Sequence, residues 1–380
     1  MADVVRVAQV GARGFGLVHL ARVDRMAELG RCELVAIADP AGPVEGRDVP
    51  WYPSLTELLA AHDVDIVQLA TPIGTHTALA KEALAAGADV LLEKPPVASL
   101  ADFYELVEAR DRAGRAVQIG FQSLGSDAIE RMAEIAATEL GELQQVRAYG
   151  AWLRTVAYFK RSAWAGKRRM NGARVADGVG TNALAHAIAT ACAIVGLTDI
   201  ADVERVETEL YHAHPTESDD TSWYRIVRRS GVPITAALTL VGPDHDNPTV
   251  TLVGTRGRAE LQYTTDIITV TVGDEVRQER VDRTDLLENL VDHRQHGTEL
   301  RVPLERTLGY MAVLEATQDR PDPAQIDDRY LDWVGEGDEA HPVVQDVKHW
   351  LTHALDEGAG FAEVGAPWAK PEAAHTWTPR

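Results

Sequence analysis

Ala70-Thr-Pro-Ile-Gly-Thr-His76, read on through Glu93-Lys94-Pro95, decides the fold of this chain. The apolar run Ile66 to Ala70 stops at a Pro/Gly turn. A helical period then appears in Leu79, Ala83 and Leu84 and ends at Gly87. A second apolar run, Val90 to Leu92, closes on Glu93, Lys94 and two prolines. Strand, helix and strand in about thirty residues make a βαβ unit. Ligands bind at the carboxyl ends of such strands, so Glu93 and Lys94 are expected where a ligand would sit. The plainer reading is a surface ion pair of small worth.

Working outward toward the N-terminus, Val4 to Val10 runs into Gly11-Ala-Arg-Gly-Phe-Gly16, and a helical pattern (Leu17, Leu20, Ala21, Met26) ends at Gly30. A glycine turn between strand and helix lets backbone N–H groups approach a pyrophosphate. The usual GxGxxG has Arg13 at its second glycine, which alters the closest approach to phosphate. The run Leu34 to Ala38 ends on Asp39, placed to accept from a ribose diol and to repel a 2′-phosphate. That favours NAD, while the Arg13 guanidinium keeps NADP open. Ser54-Leu-Thr-Glu57 reads as a capping box, and Ser99-Leu-Ala-Asp102 as an N-cap with an acid in the first turn. With a strand at Ala116 to Gly120, the alternation to about residue 122 predicts a doubly wound parallel sheet.

Composition narrows the classes. The length of 380 residues predicts more than one domain. A formal net charge of −21 argues against nucleic acid or an anionic membrane as partner. Two cysteines, Cys32 and Cys192, are too few for a disulfide framework or a cysteine zinc site. The strand pattern begins at once, without a leader-like segment, and Ala183 to Leu197 is too short to span a bilayer. A cytoplasmic location is the expectation.

The glycine turn with His19, Asp39-Pro, Thr71-Pro-x-x-x-His76 and Glu93-Lys94-Pro95 together resemble the glucose–fructose oxidoreductase / inositol dehydrogenase / MocA (Gfo/Idh/MocA) family, closely over residues 1 to 122 and more loosely beyond. The resemblance implies an α/β fold: a Rossmann domain (1–122) and an α/β domain with a large, mostly antiparallel open sheet (123–320); the C-terminal extension (321–380) goes beyond the family's usual end. It implies a nicotinamide cofactor lined by Gly11, Arg13, Gly14, Phe15, Gly16, Asp39, Ala70, Thr71, Pro72, His76, Glu93, Lys94 and Gln122, with a cis peptide before Pro95. It further implies a sugar- or polyol-like substrate, homodimers or homotetramers built through the sheet face, and Lys94 at the reacting hydroxyl. A lysine beside a cationic ring can share the work of holding and removing a hydroxyl proton.

In the second domain Glu142 to Leu153 reads as a strand, followed by a basic segment (Lys160, Arg161, Trp164, Lys167 to Arg169) expected to be a salt-bridged connector. The family's Asp-x-Gly-x-His is replaced by Asp177-Gly-Val-Gly-Thr181. The histidine position is therefore Thr181 or, shifted, His186, with Asn182 standing in for aspartate. Asn182, His186 and Thr190 are four apart and would form one helical stripe. Lys94, His186, Asp177 and Asn182 are the candidate catalytic residues. Alternating runs from Val203 to Val272 predict an antiparallel meander. The loop His212 to Asp220 (His212, His214, Glu217, Asp219, Asp220) could hold a metal but is expected to be an acidic loop, and no metal is assigned. Asp292, His293 and His296 are expected to be solvated, Arg306 to Thr317 to be amphipathic at the sheet edge, and Val343 to Leu355 to be a helix.

The expected activity is hydride transfer between NAD and a sugar, polyol or related cyclic alcohol, with Lys94 and His186 handling the proton. The alternatives are a glycoside-cleaving enzyme that retains NAD and oxidises transiently, and a non-catalytic NAD-binding sensor.

Overall fold

A computed structural model describes residues 4–320 and 322–379. Pro321, one of two expected chain breakers, lies outside the described residues. Two compact units emerge: residues up to 125 with 284–305, and 126–283 with residues from 306 onward.

The first unit alternates β1 (Val5–Val10), α1 (Phe15–Glu28), β2 (Cys32–Ala38), β3 (Trp51–Tyr52), α2 (Leu55–Ala61), β4 (Ile66–Leu69), α3 (His76–Ala85), β5 (Asp89–Leu92), α4 (Leu100–Ala113) and β6 (Val117–Ile119). The parallel sheet runs β3-β2-β1-β4-β5-β6. Order reverses between β1 and β4, the switch point where doubly wound sheets open a crevice. Every residue of β4 and β5 is buried, Gln68 and Asp89 included, which is why these strands read as mostly apolar runs. Both serine caps form: Ser54 Oγ accepts from Glu57 N at 3.3 Å and Ser99 Oγ from Asp102 N at 3.1 Å. One helical face differs from the expected period. α1 buries Gly16, His19, Leu20, Val23 and Met26, whereas Leu17 is exposed, because these five share the helical face turned to the sheet.

Residues 284–305 were expected in the second domain, but they belong with the first unit. The buried Gln118 explains the attachment. Its amide donates to Leu286 O at 2.8 Å and Asn289 Oδ1 at 2.9 Å, and its carbonyl accepts from Val302 N at 3.0 Å. A buried amide satisfied only by this segment ties it to the β6 edge. Arg294 adds ion pairs to Asp65 and Asp89, at 2.8 and 2.7 Å. Asp292, expected to be solvated, pairs with Arg31, and His293 Nδ1 faces Thr298 O at 2.7 Å.

The second unit contains α5 (Ala128–Thr138), β7 (Leu143–Ala151), α6 (Val156–Phe159), the short β8 (Arg169–Met170) and β9 (Ala173–Arg174), and α7 (Ala185–Ile194). Then come β10 (Val203–His212), β11 (Thr221–Arg228), β12 (Ile234–Thr239), β13 (Thr249–Gly254), β14 (Gly257–Gln262), β15 (Ile267–Val272) and β16 (Glu275–Arg280). After α8 (Leu286–His296) of the first unit follow α9 (Leu308–Asp319), β17 (Ala324–Gln325), β18 (Leu331–Val334), β19 (His341–Val344), α10 (Val347–Glu357) and β20 (Ala374–Trp377). The large sheet runs β16-β15-β14-β13-β7-β12-β11-β10-β17, with β20 also on β10. The expected meander is therefore interrupted: β7 inserts between β12 and β13, parallel to the first and antiparallel to the second. The cause is the long, proline-bearing connection 240–248, which cannot close as a tight hairpin.

α7 packs on β7, α5 on β14 and α9 on β10. α9 is buried on nearly all sides, against the amphipathic expectation. The segment from 326 covers another part of the sheet, where Tyr211, Trp223 and Val241 join Val347, Leu351, Phe361 and Trp368 in one cluster. The last helix begins at Val347 and not Val343, since Val343 pairs with Asp332 in the β18–β19 hairpin. Among the described residues no helix is long and apolar enough to cross a membrane.

Candidate active site

In the first unit the site residues stand at consecutive strand ends. β1 ends in the glycine turn. Gly11 has φ +78°, and a Cβ there would lie 2.3 Å from Ala70 O; one at Gly16 would lie 2.3 Å from Gly11 O. These two glycines let β1, α1 and the end of β4 approach closely. Gly14 differs: φ is +55°, and a Cβ would meet nothing within 4 Å. α1 starts with no side-chain cap and no acid in its first turn. An uncapped, open helix N-terminus behind a glycine turn fits a pyrophosphate, whose charge would complete it.

Asp39, buried at the end of β2, accepts from Ala12 N at 2.9 Å and Ala41 N at 2.8 Å, so its carboxylate is locked beside that turn with further lone pairs left. Arg13 donates to Ala41 O at 2.9 Å and Gly42 O at 3.2 Å, spanning the turn and the loop after β2. Phe15 is exposed at the start of α1, its ring edge-on to His19 at 5.3 Å.

β4 leads through Ala70, Thr71 and Pro72 to His76. That imidazole is buried, Nε2 facing Thr71 O at 2.8 Å and Nδ1 facing the carbonyls of Pro95 and Pro96 at 3.1 Å. Burial lowers its pKa against the pull of the carbonyls. His76 therefore sits between the β4 and β5 turns, its single N–H donating to one side at a time, and the Lys94-Pro95 peptide is cis as the resemblance implied. Glu93 is buried and not a surface residue, and its carboxylate accepts from the Lys94 backbone N at 3.0 Å. The buried Glu93 carboxylate lies 2.7 Å from His19 Nε2 and accepts from Gln122 at 3.4 Å. Lys94, half-buried, follows at the strand end. His19, part of the glycine-turn motif, is seated by the fold against Glu93, 74 residues away.

The second unit assembles a separate cluster. Asp177 is buried and accepts from Arg161 Nη2 at 2.5 Å, Gly166 N at 2.6 Å and Asn182 Nδ2 at 2.6 Å. The basic segment thus acts as the expected salt-bridged connector through Arg161, and Lys160 adds Asp338 at 2.5 Å. The glycines after Asp177 have a packing cause: a Cβ at Gly178 would lie 2.1 Å from Asp219 Oδ1, and one at Gly180 2.7 Å from Tyr224. The continuous polar stripe does not form. Residues 179–183 make a wider π-turn, Leu184 breaks it, and α7 begins at Ala185, so Asn182 and His186 lie on different elements. Asn182 turns to Asp177, and the half-buried His186 ring stacks with Tyr263 at 6.4 Å. Thr181, the other candidate, is buried in structural bonds: its hydroxyl accepts from Gly178 N at 2.9 Å and its carbonyl from Tyr310 at 2.8 Å.

The acidic loop is held inward. Asp219 accepts from Ser222 at 2.6 Å and Val179 N at 3.2 Å, and Asp220 from Ala213 N and His214 N at 2.9 and 2.8 Å. Burial pushes Asp220 up to about 7 and His214 down to about 4. Among the described residues no group of three or more His, Cys, Asp or Glu could hold a metal.

Residues 5–121 match the GFO_IDH_MocA model, described as an oxidoreductase family with an NAD-binding Rossmann fold. Inositol 2-dehydrogenase 4 of Saccharopolyspora erythraea is 38% identical over 126 residues, which cover 31% of this chain and 36% of that protein. Glycosyl hydrolase family 109 protein 2 of a Shewanella species is 34% identical over 125 residues, 30% of this chain and 27% of that protein. The chain thus spans about a third of the length of these curated relatives. The crystal structure of the WlbA dehydrogenase from Bordetella pertussis, in complex with NADH and UDP-GlcNAcA, has the same fold. It superposes with a TM-score of 0.68 over 83% of this chain and 95% of that one, at 22% identity.

Proposed function

We propose that this chain, whose N-terminal domain belongs to the Gfo/Idh/MocA oxidoreductase family, moves a hydride between NAD and a CH–OH carbon of a sugar, polyol or related cyclic alcohol. The observation that carries the proposal is the end of β5. There Glu93 is turned into the protein against His19, leaving Lys94 as the ionisable group that follows it at the ligand-binding edge of the sheet. The glycine turn, the uncapped α1 N-terminus and Asp39 would hold the dinucleotide, with Asp39 toward a ribose diol and against a 2′-phosphate. The bound nicotinamide supplies the acceptor or donor of the hydride.

The chain's own work is to hold the alcohol and manage its proton. Lys94 Nζ takes the hydroxyl proton as the C–H bond breaks, or as an ammonium polarises a carbonyl in the reverse direction. His76 buttresses the Lys94 turn by packing between the Thr71 carbonyl and those of Pro95 and Pro96. His186 is the second proton-handling group, and Asn182, oriented by Asp177, is a hydroxyl-recognition group.

A panel of sugars and polyols followed by NADH absorbance tests the reading. Lys94→Ala is expected to lower kcat by about 10²–10⁴-fold while the Kd for NAD, measured by calorimetry, stays within a few-fold. Unchanged turnover refutes the role of Lys94. Transient oxidation coupled to glycoside cleavage is the second reading, favoured by the match to the glycosyl hydrolase family 109 protein. Bond cleavage without net NADH would replace the first reading with it.

A further inference from the structure

Just after β7, one guanidinium of the second unit is held in a way that none of the roles above uses. The guanidinium carbon of Arg154 lies 4.7 Å from the centre of the Trp152 ring and 4.9 Å from that of Tyr158. Its Nη1 donates to Leu153 O at 3.2 Å and faces His245 Nε2 at 3.0 Å. The His245 ring stacks on Trp152, 6.2 Å away and tilted by 22°. Arg154 Nε is buried without a hydrogen-bond partner among the described residues. No carboxylate among them pairs with Arg154, in a chain with 58 acidic residues against 37 lysines and arginines.

The neighbouring arginine supplies the control. Arg161 lies 3.8 Å from the same Tyr158 ring and 4.7 Å from Trp164, yet it is neutralised by Asp177. The Tyr158 ring thus has two guanidinia against it, that of Arg161 paired with Asp177 and that of Arg154 without a carboxylate partner among the described residues. The paired one touches the carboxylate that orients Asn182. A guanidinium fixed by aromatic faces is pre-organised, and its bonds to a carboxylate or phosphate are charge-assisted.

We infer that Arg154 is an anion-recognition residue, and that the substrate class is an anionic sugar, bearing a carboxylate or a phosphate, with Trp152 and Tyr158 flanking the bound charge. The word substrate rests on the proposed oxidoreductase reading; the binding of an anionic sugar does not. The experiment is calorimetry of the NAD-loaded protein with D-glucuronate, D-glucose 6-phosphate and D-glucose. At least one anionic sugar should bind about 10-fold or more tighter than glucose, as a charge-assisted bond supplies. Which of the two does so separates carboxylate from phosphate. Arg154→Met should erase the preference, and Arg154→Lys, which keeps the charge without the planar fork, should keep part of it. Equal affinities, no binding of either anionic sugar, or a preference that survives Arg154→Met overturns the inference. Anion-selective binding without hydride transfer to any sugar would sink the oxidoreductase reading alone, while turnover of neutral sugars without anion preference would sink this one alone.

Discussion

The two regions that carry candidate chemistry are built in opposite ways. In the first unit, the turn that starts at Gly11 and the residues Asp39, Thr71 and Lys94 each begin within two residues of the end of the strand that places them, so parallel topology alone lines them up at one edge. Around Asp177 the partners are scattered: Arg161, Gly166 and Asn182 come from a connector, a loop and a π-turn, and Asp219 fills the space beside Gly178. The first arrangement depends on backbone conformation, the second on buried electrostatics.

Substitutions can sharpen that contrast. The largest effect is expected from Lys94→Ala, where turnover falls by orders of magnitude and stability hardly changes, because a half-buried amine at a strand end holds no core together. If thermal unfolding shifted as much as activity, Lys94 would be a structural residue and the contrast would fail. Asp177→Ala should behave in the reverse sense. It strands the Arg161 guanidinium and two further donors, Gly166 N and Asn182 Nδ2, costing about 3 kcal/mol in urea unfolding, the low end for a broken buried pair because Arg161 retains a quarter of its exposure. A cost below about 1 kcal/mol would show that the cluster is not the electrostatic keystone of its unit.

Gly11→Ala comes next. A methyl driven to 2.3 Å from Ala70 O at positive φ should cost about 2 kcal/mol and weaken NAD binding, whereas Gly14→Ala, with open space, should affect binding more than stability. Equal losses in both variants would erase the distinction between packing and cradle.

The last effect concerns pH. Burial raises the Asp220 carboxyl from 3.8 to about 7, so between those values the folded protein holds a proton the unfolded chain has released. This group's contribution is complete below about pH 4 and is lost as pH rises through 7, with a slope of at most about 1.4 kcal/mol per pH unit. His214, lowered to about 4 by burial, acts in the opposite sense: its contribution is present above about 6.5 and lost as pH falls toward 4. Melting curves of Asp220→Asn from pH 5 to 8 isolate the first. Its melting temperature should fall less over that interval than that of the unsubstituted protein, and parallel curves would show that Asp220 stays ionised.

Much of the first unit was legible because its signals are local. Apolar run length, the Ser54 and Ser99 caps and the glycine turn are read within a few residues, and the βαβ rule converts them into topology. The errors there arose where a distant partner intervened: Leu17 points outward because His19 takes the inner face toward Glu93, and residues 284–305 join this unit because Gln118 has no other means of satisfying its amide. In the second unit the strands themselves were readable from alternation, but not their neighbours. Nothing in residues 143–151 announces that they will separate β12 from β13.

The amino-acid order by itself determined the parallel sheet, its phosphate-suited turn and the lysine at the end of β5, since these depend on contiguous residues and a nearly obligatory crossover hand. Only the tertiary structure decided that Glu93 belongs to His19, that Asp177 is spent on Arg161, and that Arg154 has no carboxylate partner among the described residues. Pairing among buried charges is settled by which distant side chains arrive within about 3 Å, a distance that spacing along the chain does not encode.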